Sequence, residues 1–174
     1  MCLNNQLYIA SALTHVPREL FDKYSSFIHD LATDIEEKYA CNVKYALKHS
    51  DPQLASLPIE TRPNACYIWD RKMVEDSCLI IAEASFPSIG LGIELQIAQT
   101  LNIPIILLFN KSLNQANPVD YFNPDGSHHS LQIGEGYISY MALGLPNVKS
   151  IISHNYETIH IMNQLINFNL QIKC

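Results

Sequence analysis

Apolar residues in this chain gather into short unbroken runs, and between the runs they recur at helical spacing. Leu7-Tyr8-Ile9-Ala10 is one such run, of the length expected for a strand buried on both faces. After Pro17 the positions Leu20, Tyr24, Phe27, Leu31 and Ile35 fall on one face of a helix. A second strand is expected over residues 42–47. Pro52, Pro58 and Pro63 then punctuate a stretch that reads as a loop unable to continue regular structure, a candidate lid over a site.

The alternation continues with a helix over 64–76, a strand over 79–82, a helix over 91–101 and a strand over 103–109. Residues 110–134 are polar and hold Pro118, Pro124, Gly126 and the pair His128-His129, which marks an excursion from the core. A short helix at 138–143, a last strand at 148–152 and a closing helix capped by Asn155, with Ile159, Met162 and Ile166 inward, complete the pattern. Unbroken apolar strands alternating with helices predict an α/β fold with a mainly parallel sheet of about five strands.

Length and charge narrow the function classes. At 174 residues with 48% hydrophobic content the chain is expected to form one domain around one core. A net charge of -6 and no Lys/Arg cluster argue against a nucleic acid as partner, since phosphate backbones need a basic surface. No apolar run approaches the ~20 residues that span a bilayer, so no membrane partner is expected. The cysteines at 2, 41, 66, 78 and 174 show no metal-ligand spacing and no leader-like segment precedes Leu3, which fits a reduced, cytoplasmic protein.

Two carboxylates stand out against this background. In a helix over 64–76, Asp70 shares a face with Cys66, Tyr67, Met73 and Val74, while Arg71, Lys72, Glu75 and Asp76 occupy the other. A carboxylate on an apolar face must be paired, hydrogen-bonded or protonated. It serves a site or bonds a backbone amide at a helix edge, and spacing alone leaves both readings open. Glu94 lies in or near the first turn of the helix that Ser88-Ile89-Gly90-Leu91-Gly92 opens. Free amides and the helix dipole there favour anions, and glycines at 90 and 92 allow a ligand close to the backbone. The dipole is expected to keep Glu94 ionised; compensating that dipole is also its plainest alternative role. In open parallel sheets ligands bind beyond the carboxyl ends of the strands, where the turns after residues 11 and 84 are expected to meet.

His128-His129 lack a Cys or carboxylate at ligand spacing, and His154 and His160 do not share a helix face, so no metal site is expected.

Asp70, then Ala82-Glu83, then Pro87-Ser88-Ile89-Gly90-Leu91-Gly92-Ile93-Glu94-Leu95 resembles the nucleoside 2-deoxyribosyltransferase superfamily, most closely its 2'-deoxynucleoside 5'-monophosphate N-glycosidase branch. The resemblance implies a single-domain, three-layer flavodoxin-like or Rossmann-like fold and retaining glycosyl chemistry without metal or cofactor. It makes Glu94 the nucleophile on the anomeric carbon and Asp70 its assistant. It gives substrate contacts to Tyr8 and Ser11 on the first strand and its turn, and to Ser88, Gly90 and Gly92. Ser88 stands where the nucleoside transferases carry an acid, and a hydroxyl accepts a phosphate that a carboxylate repels. Ser139, in Ser139-Tyr140-Met141-Ala142-Leu143-Gly144, resembles a phosphate-binding serine supplied by the neighbouring subunit, which implies a homodimer with shared sites.

The chain departs from the branch at Ser11-Ala12-Leu13-Thr14-His15-Val16-Pro17, where a glycine-rich, arginine-bearing loop is the rule. His15, Arg18 and Arg62 are the candidates to restore that charge. Hydrolysis of a (deoxy)nucleoside 5'-monophosphate is the expected activity. Base exchange on a nucleoside and non-catalytic nucleotide sensing are the alternatives.

Overall fold

The computed structural model describes residues 5–113, 119–130 and 138–167. Along the chain run β1 (Gln6–Ser11), α1 (Arg18–Tyr39), β2 (Asn42–Tyr45), α2 (Ala46–His49), α3 (Asp51–Leu54), α4 (Arg62–Glu75), β3 (Leu79–Glu83), α5 (Ile89–Thr100), β4 (Ile105–Asn110), β5 (Asp120–Phe122), β6 (His128–Ser130), α6 (Tyr140–Leu143), β7 (Val148–His154) and α7 (Thr158–Asn167). Five strands pair in parallel in the order β2-β1-β3-β4-β7. The fold is therefore α/β of the Rossmann or flavodoxin-like kind, as the alternation predicts. The order reverses between β1 and β3, and the crevice beyond their carboxyl ends is the position where such sheets bind ligands.

Alternate residues of each strand feed two cores. Leu7, Ile9, Ile81, Ile106 and Leu108 pack with Tyr24, Phe27, Leu31 and Ile35 of α1 and with Ile161 and Leu165 of α7. Tyr8, Ala10, Ile80, Ala82 and Leu107 pack with Met73 and Val74 of α4 and with Leu91, Leu95 and Ala98 of α5. The period of two along a pleated strand thus sorts the ends of β1 and β3: Tyr8 faces α4 and α5, whereas Ser11 and Glu83 face α1.

Several expectations are corrected. The second strand stops at Tyr45, because Ala46 and Leu47 already belong to α2, whose His49 ring folds back onto the Tyr45 backbone. The proline-marked stretch is mostly regular: Pro52 and Pro63 occupy the first turns of α3 and α4, where a missing N–H costs nothing, and Pro58 introduces a 3-10 turn at Ile59–Thr61. The polar excursion carries an antiparallel hairpin, β5 with β6, turned by Gly126 at φ 83°; Pro118 and Gly134 lie outside the described residues. The last helix begins at Thr158, beyond Asn155, and Thr158 Oγ1 hydrogen-bonds Asp34 of α1. Its inward face is Ile161, Met162 and Leu165, leaving Ile159 and Ile166 exposed. Among the described residues no helix is long and apolar enough to cross a membrane.

Candidate active site

Tyr8, Asp70 and Glu94 come together from β1, α4 and α5. The Tyr8 hydroxyl donates to Glu94 Oε1 at 2.6 Å. Tyr8 is 1% exposed and Glu94 9%, so the pair is cut off from solvent on the α4/α5 face of the sheet. Burial, then the Glu94 and Asp70 charges, push the Tyr8 phenol well above its usual range, and it remains a donor.

Glu94 differs from expectation in two ways. Ser88 is the N-cap of α5, its Oγ accepting from Leu91 N at 3.2 Å, and this starts the helix at Ile89. Glu94 therefore sits in the second turn, away from the terminal amides, and the dipole does not govern it. Burial does: it pushes the carboxyl up to about 8, against the lowering effect of the Tyr8 bond and with a further rise from Asp70. At neutral pH the free protein holds most of its Glu94 protonated.

Asp70 is half-buried on α4, facing the sheet as its spacing predicts. The Cys66 thiol, one turn earlier, donates to Asp70 Oδ2 at 3.3 Å, and Oδ1 is buried without a hydrogen-bond partner. Tyr67, expected on this inward face, is on the outer one, where its hydroxyl accepts from Arg71 at 3.0 Å. Asp51 of α3 is a third carboxyl in the same field, raised by partial burial and by Asp70.

A second group of expected residues forms the walls of a cavity of about 390 Å³ at the amino end of α5. Ser88, Gly92 and Ser139 line it, with His15 from the turn after β1 and apolar walls that include Phe86, Leu95 and Ile138. Ser139 repeats the role of Ser88, capping α6 by accepting from Ala142 N at 3.3 Å. Each capping oxygen still has its own proton to donate outward. Ser139 lines this cavity together with Ser88 of the same chain. Open space surrounds the position where a Cβ on Gly92 would stand, whereas one on Gly90 would lie 3.7 Å from Ser88 Oγ.

The two groups are joined through α5, with Glu94 between Gly92 and Leu95, but neither Glu94 nor Asp70 is part of the cavity wall. The Ser11 side chain joins neither group: its buried hydroxyl lies on the α1 side, beside Tyr24. Of the three basic candidates only His15 borders the cavity. Arg18 lines a separate surface depression, and Arg62 bonds the carbonyls of Leu57 and Ala55 at 2.9 and 3.0 Å.

Sequence reasoning missed a buried network across the sheet. Glu83 Oε1 accepts from His154 Nε2 at 3.1 Å and from Ser85 Oγ, and Ser85 Oγ accepts Asn110 N at 2.8 Å. His154 Nδ1 accepts the Tyr156 N–H at 3.1 Å, so the ring proton is on Nε2, facing Glu83. Tyr156 is held at φ 72° to make that contact. The signal available was an acid closing an otherwise apolar strand.

No protein-family model matches the chain, and no curated relative matches it. Among solved structures it is similar to the CMP N-glycosidase BcmB of Clostridium botulinum, with 21% identity, 94% of this chain and 98% of that one covered, and a TM-score of 0.57. It is also similar to a conserved protein of Enterococcus faecalis V583, with 15% identity, coverage of 92% and 99%, and a TM-score of 0.58. Likeness of this degree extends along nearly the whole chain and establishes the fold.

Proposed function

We infer that the protein is an N-glycosidase that hydrolyses the base–sugar bond of a (deoxy)nucleoside 5'-monophosphate. The observation that carries this reading is the buried Glu94, bonded by Tyr8 and facing Asp70, on the helix whose capped amino end borders a cavity. A Glu94 carboxylate oxygen bonds C1' as the C1'–N bond breaks, and the electron pair leaves with the base, which takes up a proton with Asp70 assisting. Water then attacks C1' and gives up a proton that replaces the one the base took, the C1'–O bond to Glu94 breaks to restore the carboxylate, and the products are free base and (deoxy)ribose 5-phosphate.

The 5'-phosphate is assigned to the cavity of Ser88, Ser139 and His15, where two hydroxyl donors and an imidazole converge beside the amino end of α5. His15 takes the place of the missing arginine. The fold likeness to a CMP N-glycosidase supports a nucleotide over a plain nucleoside. Exposed Ile89 (83%) in the cavity wall, and exposed Met141 (84%) and Tyr140 on α6 between the lining residues Ser139 and Ala142, support a homodimer in which a second copy covers this mouth.

The test is chromatographic detection of free base from ribo- and deoxyribonucleoside 5'-monophosphates and the matching nucleosides, with Glu94→Ala beside the wild type. Release from the phosphates by wild type alone is the expected result. Release only from nucleosides in the presence of an acceptor base would instead make the protein a transferase, and binding without release from any substrate would make it a sensor.

A further inference from the structure

We propose that Cys66 is a positioning residue, whose thiol holds one oxygen of Asp70 so that the other is presented to a hydroxyl of the substrate sugar; this rests on the N-glycosidase reading above. Cys66 and Asp70 stand one turn apart on α4, and Sγ donates to Oδ2 at 3.3 Å, well within hydrogen-bond distance for sulfur. Oδ1 is buried with no partner. The neighbouring Tyr8 hydroxyl cannot serve it, being committed to Glu94 at 2.6 Å. Among the described residues the carboxyls whose charge acts on the thiol are Asp70, Asp51 and Glu94, and the Tyr8 phenol shares the same field.

A neutral donor suits this position. An ammonium or guanidinium there would cancel the charge that Asp70 needs if it is to accept a hydroxyl and assist proton transfer, whereas a thiol fixes the carboxylate plane and leaves its charge in place. The donor is also durable. Burial and then Asp70 push the Cys66 thiol up to about 12, so the proton stays on sulfur at neutral pH and the group is a poor nucleophile.

Steady-state kinetics on Cys66→Ala and Cys66→Ser, each checked for folding by circular dichroism, tests the role in turnover. Cys66→Ala is expected to lower kcat about tenfold with little change in KM, and Cys66→Ser, which restores a donor, to stay within about threefold of wild type. Wild-type kcat in Cys66→Ala, or a serine variant as slow as the alanine one, overturns the proposal. A second arm needs no activity: iodoacetamide labelling of Cys66 at pH 8, followed by peptide mass spectrometry, in wild type and Asp70→Asn. Removing the carboxylate that raises the thiol should speed labelling about tenfold, and equal rates would mean that the thiol does not hold Asp70. A wild type without turnover would sink the glycosidase reading, and the labelling arm would still decide the contact.

Discussion

Tyr8 and Glu94 are joined by a 2.6 Å hydrogen bond although 86 positions separate them in the chain. The bond is the one contact that opposes burial in setting the state of Glu94. Tyr8→Phe removes it, so the Glu94 carboxyl should rise further above about 8. A nucleophilic carboxylate must be ionised, and kcat/KM of the wild type is therefore expected to climb as pH rises towards 8, with the acid limb displaced to higher pH in Tyr8→Phe. The measurement is a pair of pH–rate profiles. An activity that falls over the same range would assign Glu94 the part of proton donor.

The same burial makes Glu94 a burden on stability. Its carboxyl titrates near 4.5 when unfolded and at about 8 when folded. Between those values the unfolded chain binds fewer protons than the native one, so stability falls as pH rises. The cost reaches about 3 kcal/mol at pH 7 on this linkage. Glu94→Gln, whose amide oxygen still accepts from Tyr8, should gain about 1–3 kcal/mol over wild type at pH 8, with the gain shrinking towards pH 5. Urea denaturation at the two pH values reads it directly.

Much of this arrangement was legible in the sequence, and for a physical reason. The central strands β1, β3 and β4 are buried on both faces and leave unbroken apolar runs, and the edge strands β2 and β7 mix polar and apolar residues, yet all five could be read at nearly their true positions. The i, i+4 relation of Cys66 and Asp70 follows from helical spacing alone. Legibility failed where a cap or a distant strand decides. The Ser88 side chain starts α5 earlier than the apolar pattern implied, which moved Glu94 out of the first turn. Contact between His154 and Glu83 depends on the order β3-β4-β7, which no local pattern encodes. In α7 tertiary packing chose Ile161, Met162 and Leu165 as the inward face, leaving Ile159 and Ile166 outward.

Gly92 separates folding from binding. A Cβ there meets open space, and alanine is the better helix former by up to about 1 kcal/mol. Gly92→Ala should therefore unfold no earlier than wild type, yet bind a nucleoside 5'-monophosphate more weakly because the methyl enters the cavity. Calorimetric titration alongside thermal unfolding distinguishes this from a glycine kept for backbone reasons, which would lose stability and affinity together.

The network at Glu83 should behave differently under its two simplest disruptions. Glu83 and His154 are both fully buried, and Glu83 Oε1 receives the His154 Nε2 proton as well as that of Ser85. His154→Ala leaves the carboxylate with the Ser85 donor, opens a space beside Phe27, whose ring stacks on the imidazole at 4.5 Å, and should cost about 3–5 kcal/mol. Glu83→Gln keeps an oxygen for both donors and places an NH2 where Oε2 had no partner, so with both hydrogen bonds retained it should cost less. Equal losses would mean that charge, not hydrogen bonding, holds the strand ends together. Ser85 lies three residues before Ser88, and its Oγ ties that turn to β4 at Asn110. Ser85→Ala, which cuts that tie, should therefore weaken binding at the Ser88 cavity, an effect that His154→Ala and Glu83→Gln, with the Ser85–Asn110 bond intact, should largely escape.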